Sequence, residues 1–212
     1  RMSNDDPLLI IISSPSGAGK TTLTTRLRER IPGLRFSISH TTRQRRPNEE
    51  DGREYHFVSR ETFERLIQLD EFLEWAEVHG NLYGTSRREV DNARGARGLI
   101  FDIDHQGARQ IKSVHADATS VFILPPSMAV LERRLRGRAT EDEETMQRRY
   151  RVARAEIEHY GFFDYLLVNE DLEEATLNLV GIFRAEECSR IRQACRAEAL
   201  LGEGRSLGPN SG

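Results

Sequence analysis

Hydrophobic positions along this chain alternate between short unbroken runs and stretches with helical spacing. Leu8 to Ile12, five apolar residues, has the length of a buried parallel strand. After a turn of small residues, Leu23, Leu27 and Ile31 recur at i, i+4, i+8, the stripe of an amphipathic helix. Pro32-Gly33 ends it. Further strands are predicted at Leu99–Asp102, at Thr119–Leu124 (stopped by Pro125-Pro126) and at Tyr165–Asn169. Between them, Asp104–Lys112 reads as a helix, and Ser127 caps another that carries Met128, Leu131 and Leu135. Past a break at Gly137–Thr140, Met146, Tyr150, Ala153, Ile157 and Tyr160 form one clean helical stripe. A last helix starts at Leu172. Strands alternating with helices predict an α/β fold, a parallel sheet covered by helices on both faces. No internal repeat is present.

One segment breaks this rhythm. Arg35–His40 alternates as a short strand with Phe36 and Ile38 on one side, and Glu54–Val58 does likewise. Thr41–Arg53 between them is polar and turn-rich. Arg60–Leu69 places Phe63, Leu66 and Ile67 on one helix face, and Leu73–Val78 and Asn81–Ser86 flank a turn at Gly80. Short strands with one helix predict a small α+β lobe inserted into the larger sheet.

Composition narrows the picture. The 212 residues suit one core with room for such a lobe. No apolar run approaches membrane-spanning length, and the opening RMSNDDP lacks a signal-peptide hydrophobic region. A formal net charge of −3 argues against general nucleic-acid binding, so the arginines belong to a local pocket. Cys188 and Cys195, placed on one predicted helix, would lie about 10 Å apart, beyond disulfide reach. No CxxC or Cys/His cluster suggests zinc, and a reducing cytoplasm is the expected compartment.

The candidate chemistry begins at Ser14-Pro15-Ser16-Gly17-Ala18-Gly19-Lys20-Thr21, which has the spacing of a Walker A phosphate loop between the first strand and helix. Gly17 and Gly19 let the backbone turn several N–H groups inward, and the helix dipole adds to the anion site. Lys20 is placed to reach β- and γ-phosphates, and the Thr21 hydroxyl to ligate magnesium. Arg43, Arg45 and Arg46, with Tyr55 beyond, suit a second phosphate or, equally, a solvated basic loop. Glu74 sits in the apolar run Phe72-Leu73-Glu74-Trp75-Ala76. On an alternating strand it faces away from Leu73 and Trp75. A pocketed carboxylate there would read two adjacent donors such as guanine N1–H and the 2-amino group, while the plainer alternative is a surface strand residue. Arg133–Arg138 is either a solvated helix face or, with the phosphate loop, part of the site.

Six segments in order, SSPSGAGKTT, SISHTTRQRRPNEEDGREYHF, EFLEWAEVHGNLYGTS, FDIDHQG, PPS…LERRLRGRATEDEETMQRR and VNEDL, resemble the bacterial guanylate kinases from about Leu8 to the last helix. Ser14, where the general motif has glycine, is tolerated in that family. The resemblance implies an ATP:GMP phosphotransferase of purine nucleotide metabolism with Mg2+, and a single domain: core 7–34, 95–136 and 160–198, GMP-binding insert 35–94, helical lid 137–159 and flexible tail 202–212. It implies ATP contacts from Ser14, Pro15, Ser16, Gly17, Ala18, Gly19, Lys20, Thr21 and Thr22, with Asn169 at the adenine edge. GMP would be surrounded by Ser39, Arg43, Arg46, Tyr55, Glu74, Tyr83, Thr85 and Asp104. Its phosphate would be held by the two arginines and two tyrosines, its base by Glu74, Ser39 and Thr85. Asp102 and Thr21 would serve magnesium, while Lys20, Arg43 and the lid arginines Arg134, Arg138 and Arg149 would carry catalysis. His40 and Asn48 depart from the residues usual there. ATP and GMP are the expected partners, with neither nucleic acid nor membrane; monomer and homo-oligomer both stay open. The alternative is a non-catalytic guanylate-kinase-like interaction module, which intact Gly17, Gly19, Lys20 and Thr21 disfavour. A nucleoside-monophosphate kinase for another base, or a nucleic-acid-binding ATPase, fits less well.

Overall fold

The computed structural model describes residues 6–78, 80–137 and 143–205. Its larger sheet has five parallel strands in the order β2-β7-β1-β8-β9, where β1 is Leu8–Ser13, β2 Leu34–Phe36, β7 Gly98–Asp102, β8 Thr119–Leu124 and β9 Tyr165–Val168. β1 is central because both its faces are apolar. Leu8, Ile10 and Ile12 pack on one side against Leu23 and Leu27 of α1 (Lys20–Arg30) and Leu179 and Phe183 of α7 (Leu172–Glu187). Leu9 and Ile11 pack on the other against Ala108 and Ile111 of α4 (His105–Val114) and Phe163. This alternation buries a five-residue apolar run completely, as a central parallel strand requires.

The smaller sheet orders β4-β3-β6-β5, with β3 His40–Thr41, β4 His56–Phe57, β5 Phe72–Val78 and β6 Asn81–Ser86. Helix α2 (Arg60–Gln68), capped by the Ser59 side chain, buries Phe63 against Phe72 and Leu82. The strand expected over Arg35–His40 is split between sheets: Leu34–Phe36 pairs with β7 in the core, and His40–Thr41 starts the small sheet. The two halves lie in different sheets, so a single alternation pattern could not reveal the crossing. A short helix α3 (Arg88–Asn92), not foreseen in the sequence, returns the chain to the core.

Helix α5 (Met128–Arg136) is N-capped by Ser127 as expected, and α6 (Glu143–Ile157) packs Ala153 and Tyr150 on Leu131 and Leu135. Tyr160, expected on the α6 stripe, lies instead in a 3-10 turn and is 51% exposed. The expected last helix is broken. α7 ends at Glu187 and α8 (Arg190–Arg205) begins after Cys188-Ser189, tied to the start of β1 by Arg192 donating to the carbonyls of Asp6 and Pro7. Cys188 and Cys195 therefore do not share a helix, and no disulfide joins them. α8 also runs past residue 202, where a tail was expected. Among the described residues no helix is long and apolar enough to cross a membrane.

Phe183→Ala should cost about 3–5 kcal/mol in denaturant unfolding, because a fully buried ring leaves a cavity beside β1. Leu177→Ala on the same helix, where the side chain is 54% exposed, should stay within about 0.5 kcal/mol.

Candidate active site

The loop between β1 and α1 turns on two glycines with positive φ, Gly17 at 90° and Gly19 at 96°. Ala18 N–H donates to the Pro15 carbonyl at 3.2 Å, which closes the turn and leaves α1 starting at Lys20. Because β1 and β7 are neighbours with Ile12 opposite Asp102, the loop's Lys20 lies beside the end of β7. Lys20 Nζ forms an ion pair with the Asp102 carboxylate. Thr21 and Thr22 are exposed on the first turn of α1.

Two arginines approach this loop from the lid side. Arg134 donates to the carbonyls of Ala18 (3.4 Å) and Asn169 (3.3 Å), and Arg149 to Ser16 Oγ (3.4 Å). Arg138 lies outside the described residues. Asn169, expected at the adenine edge, is buried and spends its Nδ2 on the Ala18 carbonyl at 2.7 Å, so in this structure it braces the loop from beneath. A contact that sequence reasoning missed is Glu156 on α6, whose carboxylate accepts from the Ser16 amide at 3.3 Å.

On the insert side, a cavity of about 210 Å³ is lined by Lys20, Ser39, Tyr55, Glu74, Ala76, Val78, Tyr83, Asp102, Ile103 and Asp104. Seven residues singled out in the sequence thus meet in one space. Glu74 reaches it because β5 carries an irregularity between Phe72 and Glu74, where one step on β6 is matched by two on β5. The extra residue, Leu73, is buried in the core; Glu74 and Ala76 then face inward and Trp75 outward. Glu74 is 5% exposed, and Thr85 Oγ1 donates to its Oε1 at 2.6 Å while lying 3.1 Å from Ser39 Oγ. Burial drives the Glu74 carboxyl up to about 7, opposed by the Thr85 hydrogen bond and aided by nearby Asp104. Asp104 itself caps α4 by accepting from the Gln106 and Gly107 amides.

Arg43 does not line that cavity directly. Its guanidinium lies over the rings of Tyr55 (5.4 Å) and Phe57 (5.7 Å), and donates to Glu49 at 2.8 Å and to the Gln44 carbonyl at 2.8 Å. Glu49 also accepts from the Arg46 amide at 2.9 Å, so one carboxylate organises the whole turn. Those two contacts, Arg43 first, hold its carboxyl below the usual range. Glu49 was legible only as one acid in a polar turn. The side chain of Arg46 is exposed. Tyr55 and Tyr83 meet edge-to-face at 5.9 Å, and burial, then Asp102, push the Tyr55 phenol up. His40 points to the other side of the small sheet, packed on His56 at 4.7 Å, and burial, then His56, lowers it to about 4.

Among the described residues no group of three or more His, Cys, Asp or Glu is placed to hold a metal ion. Thr21 and Asp102 instead offer single hard oxygens beside the loop, and the Asp102 side chain is 38% exposed. That donor set fits Mg2+, which keeps waters and phosphate oxygens as most of its ligands and takes one or two from protein. A larger cavity, about 460 Å³, lies by Asp6, Leu73, Arg94 and Asp117 and shares no residue with the phosphate loop.

The family model described as guanylate kinase matches residues 7–186. A guanylate kinase of Aromatoleum aromaticum is 51% identical over 194 residues, covering 91% of this chain and 94% of that one. The guanylate kinase of Thiobacillus denitrificans is 47% identical over 201 residues, covering 94% and 96%. Among solved structures, the crystal structure of guanylate kinase from Anaplasma phagocytophilum superimposes with a TM-score of 0.73 at 34% identity, over 89% of this chain and 90% of that one.

The raised pKa of Glu74 has a stability consequence. Between the ordinary value of 4.5 and about 7 the native state holds a proton that the unfolded state has lost, so this group's contribution falls as pH rises through that window. The stability difference between wild type and Glu74→Gln, measured by urea unfolding, should therefore shrink from pH 4.5 to 7 in favour of the variant and be flat above.

Proposed function

The chain belongs to the guanylate kinase family, and on that premise we propose how its residues divide the transfer of the γ-phosphoryl group of ATP to GMP, giving ADP and GDP. The observation that carries the assignment is Glu74, a buried carboxylate held by Thr85 in the same cavity as Lys20 and Asp102. Guanine presents N1–H and the 2-amino group side by side, and an ionised Glu74 accepts from both. Adenine has neither donor, so it would leave a buried acceptor unpaired, a penalty sufficient for strong discrimination. Ser39 and Thr85 orient that carboxylate, and Asp104 borders the same space.

Arg43, Arg46, Tyr55 and Tyr83 take the GMP phosphate, with Arg43 presented by its stacking on Tyr55. On the donor side, the backbone of Ser14–Thr21, the Lys20 ammonium and Thr22 cradle the ATP phosphates, and Arg134, Arg138 and Arg149 close over them from the lid. Asn169 supports the loop through Ala18. Thr21 and Asp102 would hold magnesium, which when bound neutralises and orients the phosphate oxygens of ATP. The GMP phosphate is already nucleophilic at neutral pH, so no residue is needed as a strong base. The difficulty is repulsion between two polyanions, and Lys20 and the arginines meet it by fixed positive charge at the transferring group. Closure of lid and insert excludes water that would otherwise hydrolyse ATP. No observation favours the non-catalytic module.

With ATP and magnesium, a coupled assay should release ADP with GMP and not with AMP, CMP or UMP; equal release with AMP would remove the base-reading role of Glu74. Lys20→Ala should lower kcat by about 10³-fold with little change in melting temperature, because the Lys20–Asp102 pair is partly exposed. Base reading requires the Glu74 carboxylate, whose proton comes off near 7. Guanosine, free of the phosphate titration of GMP, should therefore bind about tenfold more weakly at pH 6 than at pH 8. That dependence should vanish in Glu74→Gln.

A further inference from the structure

Glu74 does not stand alone on β5; its carboxylate lies against the first turns of α4. Gly107 in that helix is buried, and its φ is not in the left-handed region, so the backbone there does not need glycine. A Cβ added at Gly107 would meet Glu74 Oε2 at 2.6 Å, Glu74 Cδ at 3.2 Å and Ile103 Cδ1 at 3.2 Å. What the missing side chain supplies is space, and the Glu74 carboxylate fills it. One turn further on, Gln110 makes two contacts with the backbone of the residue after Glu74. Its Oε1 accepts from Trp75 N–H at 3.1 Å, and its Nε2 donates to the Trp75 carbonyl at 2.8 Å. β5 is an edge strand of the small sheet, so a side-chain amide here does what a further strand would do, and it belongs to the core.

We infer that Gly107 and Gln110 are specificity-determining positioning residues, which seat the Glu74 carboxylate at the place where the purine base is read. The inference rests on the assignment of Glu74 as base reader. Gly107 admits the carboxylate to the wall of the cavity, and Gln110 fixes the strand that carries it at a set height along α4. Neither touches substrate. The atom that a Gly107 methyl would strike hardest is Glu74 Oε2, and all three atoms it would meet belong to side-chain ends, those of Glu74 and Ile103, so the substitution moves the carboxylate rather than the backbone. Alanine in a helix is also favoured over glycine by about 1 kcal/mol. Folding and recognition should therefore respond to Gly107→Ala independently.

The test compares Gly107→Ala, Gln110→Ala and Glu74→Gln with wild type, measuring kcat and KM for ATP, GMP and AMP together with thermal unfolding. Both α4 variants should raise KM for GMP about tenfold, in line with displacement of a recognition group. They should lower the GMP-to-AMP preference by a similar factor, leave KM for ATP within about twofold, and leave the melting temperature of Gly107→Ala at or above wild type. A variant that keeps the wild-type base preference while Glu74→Gln loses it overturns the inference for that residue. A loss of GMP affinity matched by an equal loss for ATP and a lower melting temperature also overturns it, since that is damage to the fold. If Glu74→Gln itself keeps the base preference, the base-reading assignment falls first and this inference with it.

Discussion

A carboxylate removed from water must be neutralised or given donors, and Glu74 meets that demand only in part. Thr85 supplies one hydrogen bond to Oε1, and the proton retained up to about pH 7 supplies the rest. A group left in this condition is poised for a ligand that brings donors of its own. The surrounding structure serves this one placement. The irregularity in β5 turns Glu74 inward, Gly107 leaves room for it, Gln110 fixes its strand, and Asp104 caps the helix that carries both. The small sheet and the core thus meet at the Glu74 carboxylate, where α4 packs on β5.

The core was legible because each of its signals is local. Leu8–Ile12 and the turn that follows specify a buried strand, a phosphate loop and a helix within twenty residues, with no information needed from elsewhere. Ser127 as a cap, the four apolar runs and the α6 face as far as Ile157 succeed for the same reason. The insert was legible as a lobe but not in detail. Strands of two or three residues carry no reliable period, so the crossing at Leu34–His40 and the short helix Arg88–Asn92 escaped. Glu74 could be suspected from its apolar flanks, yet its burial is made by α4 and β6, which come later in the chain. Leu73 beside it is buried as well, against simple alternation, because the strand is irregular there. Asn169 shows the same limit. It was expected as the last residue of the fourth strand and lies just past its end, but the carbonyl it meets is 151 residues away.

The electrostatics of the groups proposed to meet phosphate explain how so many cations and amides can be held together in a chain of net charge −3. Several already have a carboxylate partner within the protein: Lys20 has Asp102, Arg43 has Glu49, and the Ser16 amide has Glu156. Closely spaced positive groups would otherwise repel one another and destabilise the fold. The same pairing reduces what each contact contributes to substrate affinity, because a phosphate gains only the difference between itself and the carboxylate it meets or displaces. For a catalyst this is favourable. Binding ground-state phosphates very tightly lowers KM without raising kcat, whereas interactions that strengthen only as charge develops on the transferring group raise kcat. Arg134 differs from Lys20 and Arg43 in this respect. Its hydrogen bonds go to the carbonyls of Ala18 in the loop and of Asn169 after β9, both neutral acceptors, so its full positive charge is held beside the loop. Such a charge is positioned by the fold before reaction and needs no reorganisation when negative charge shifts between the phosphates.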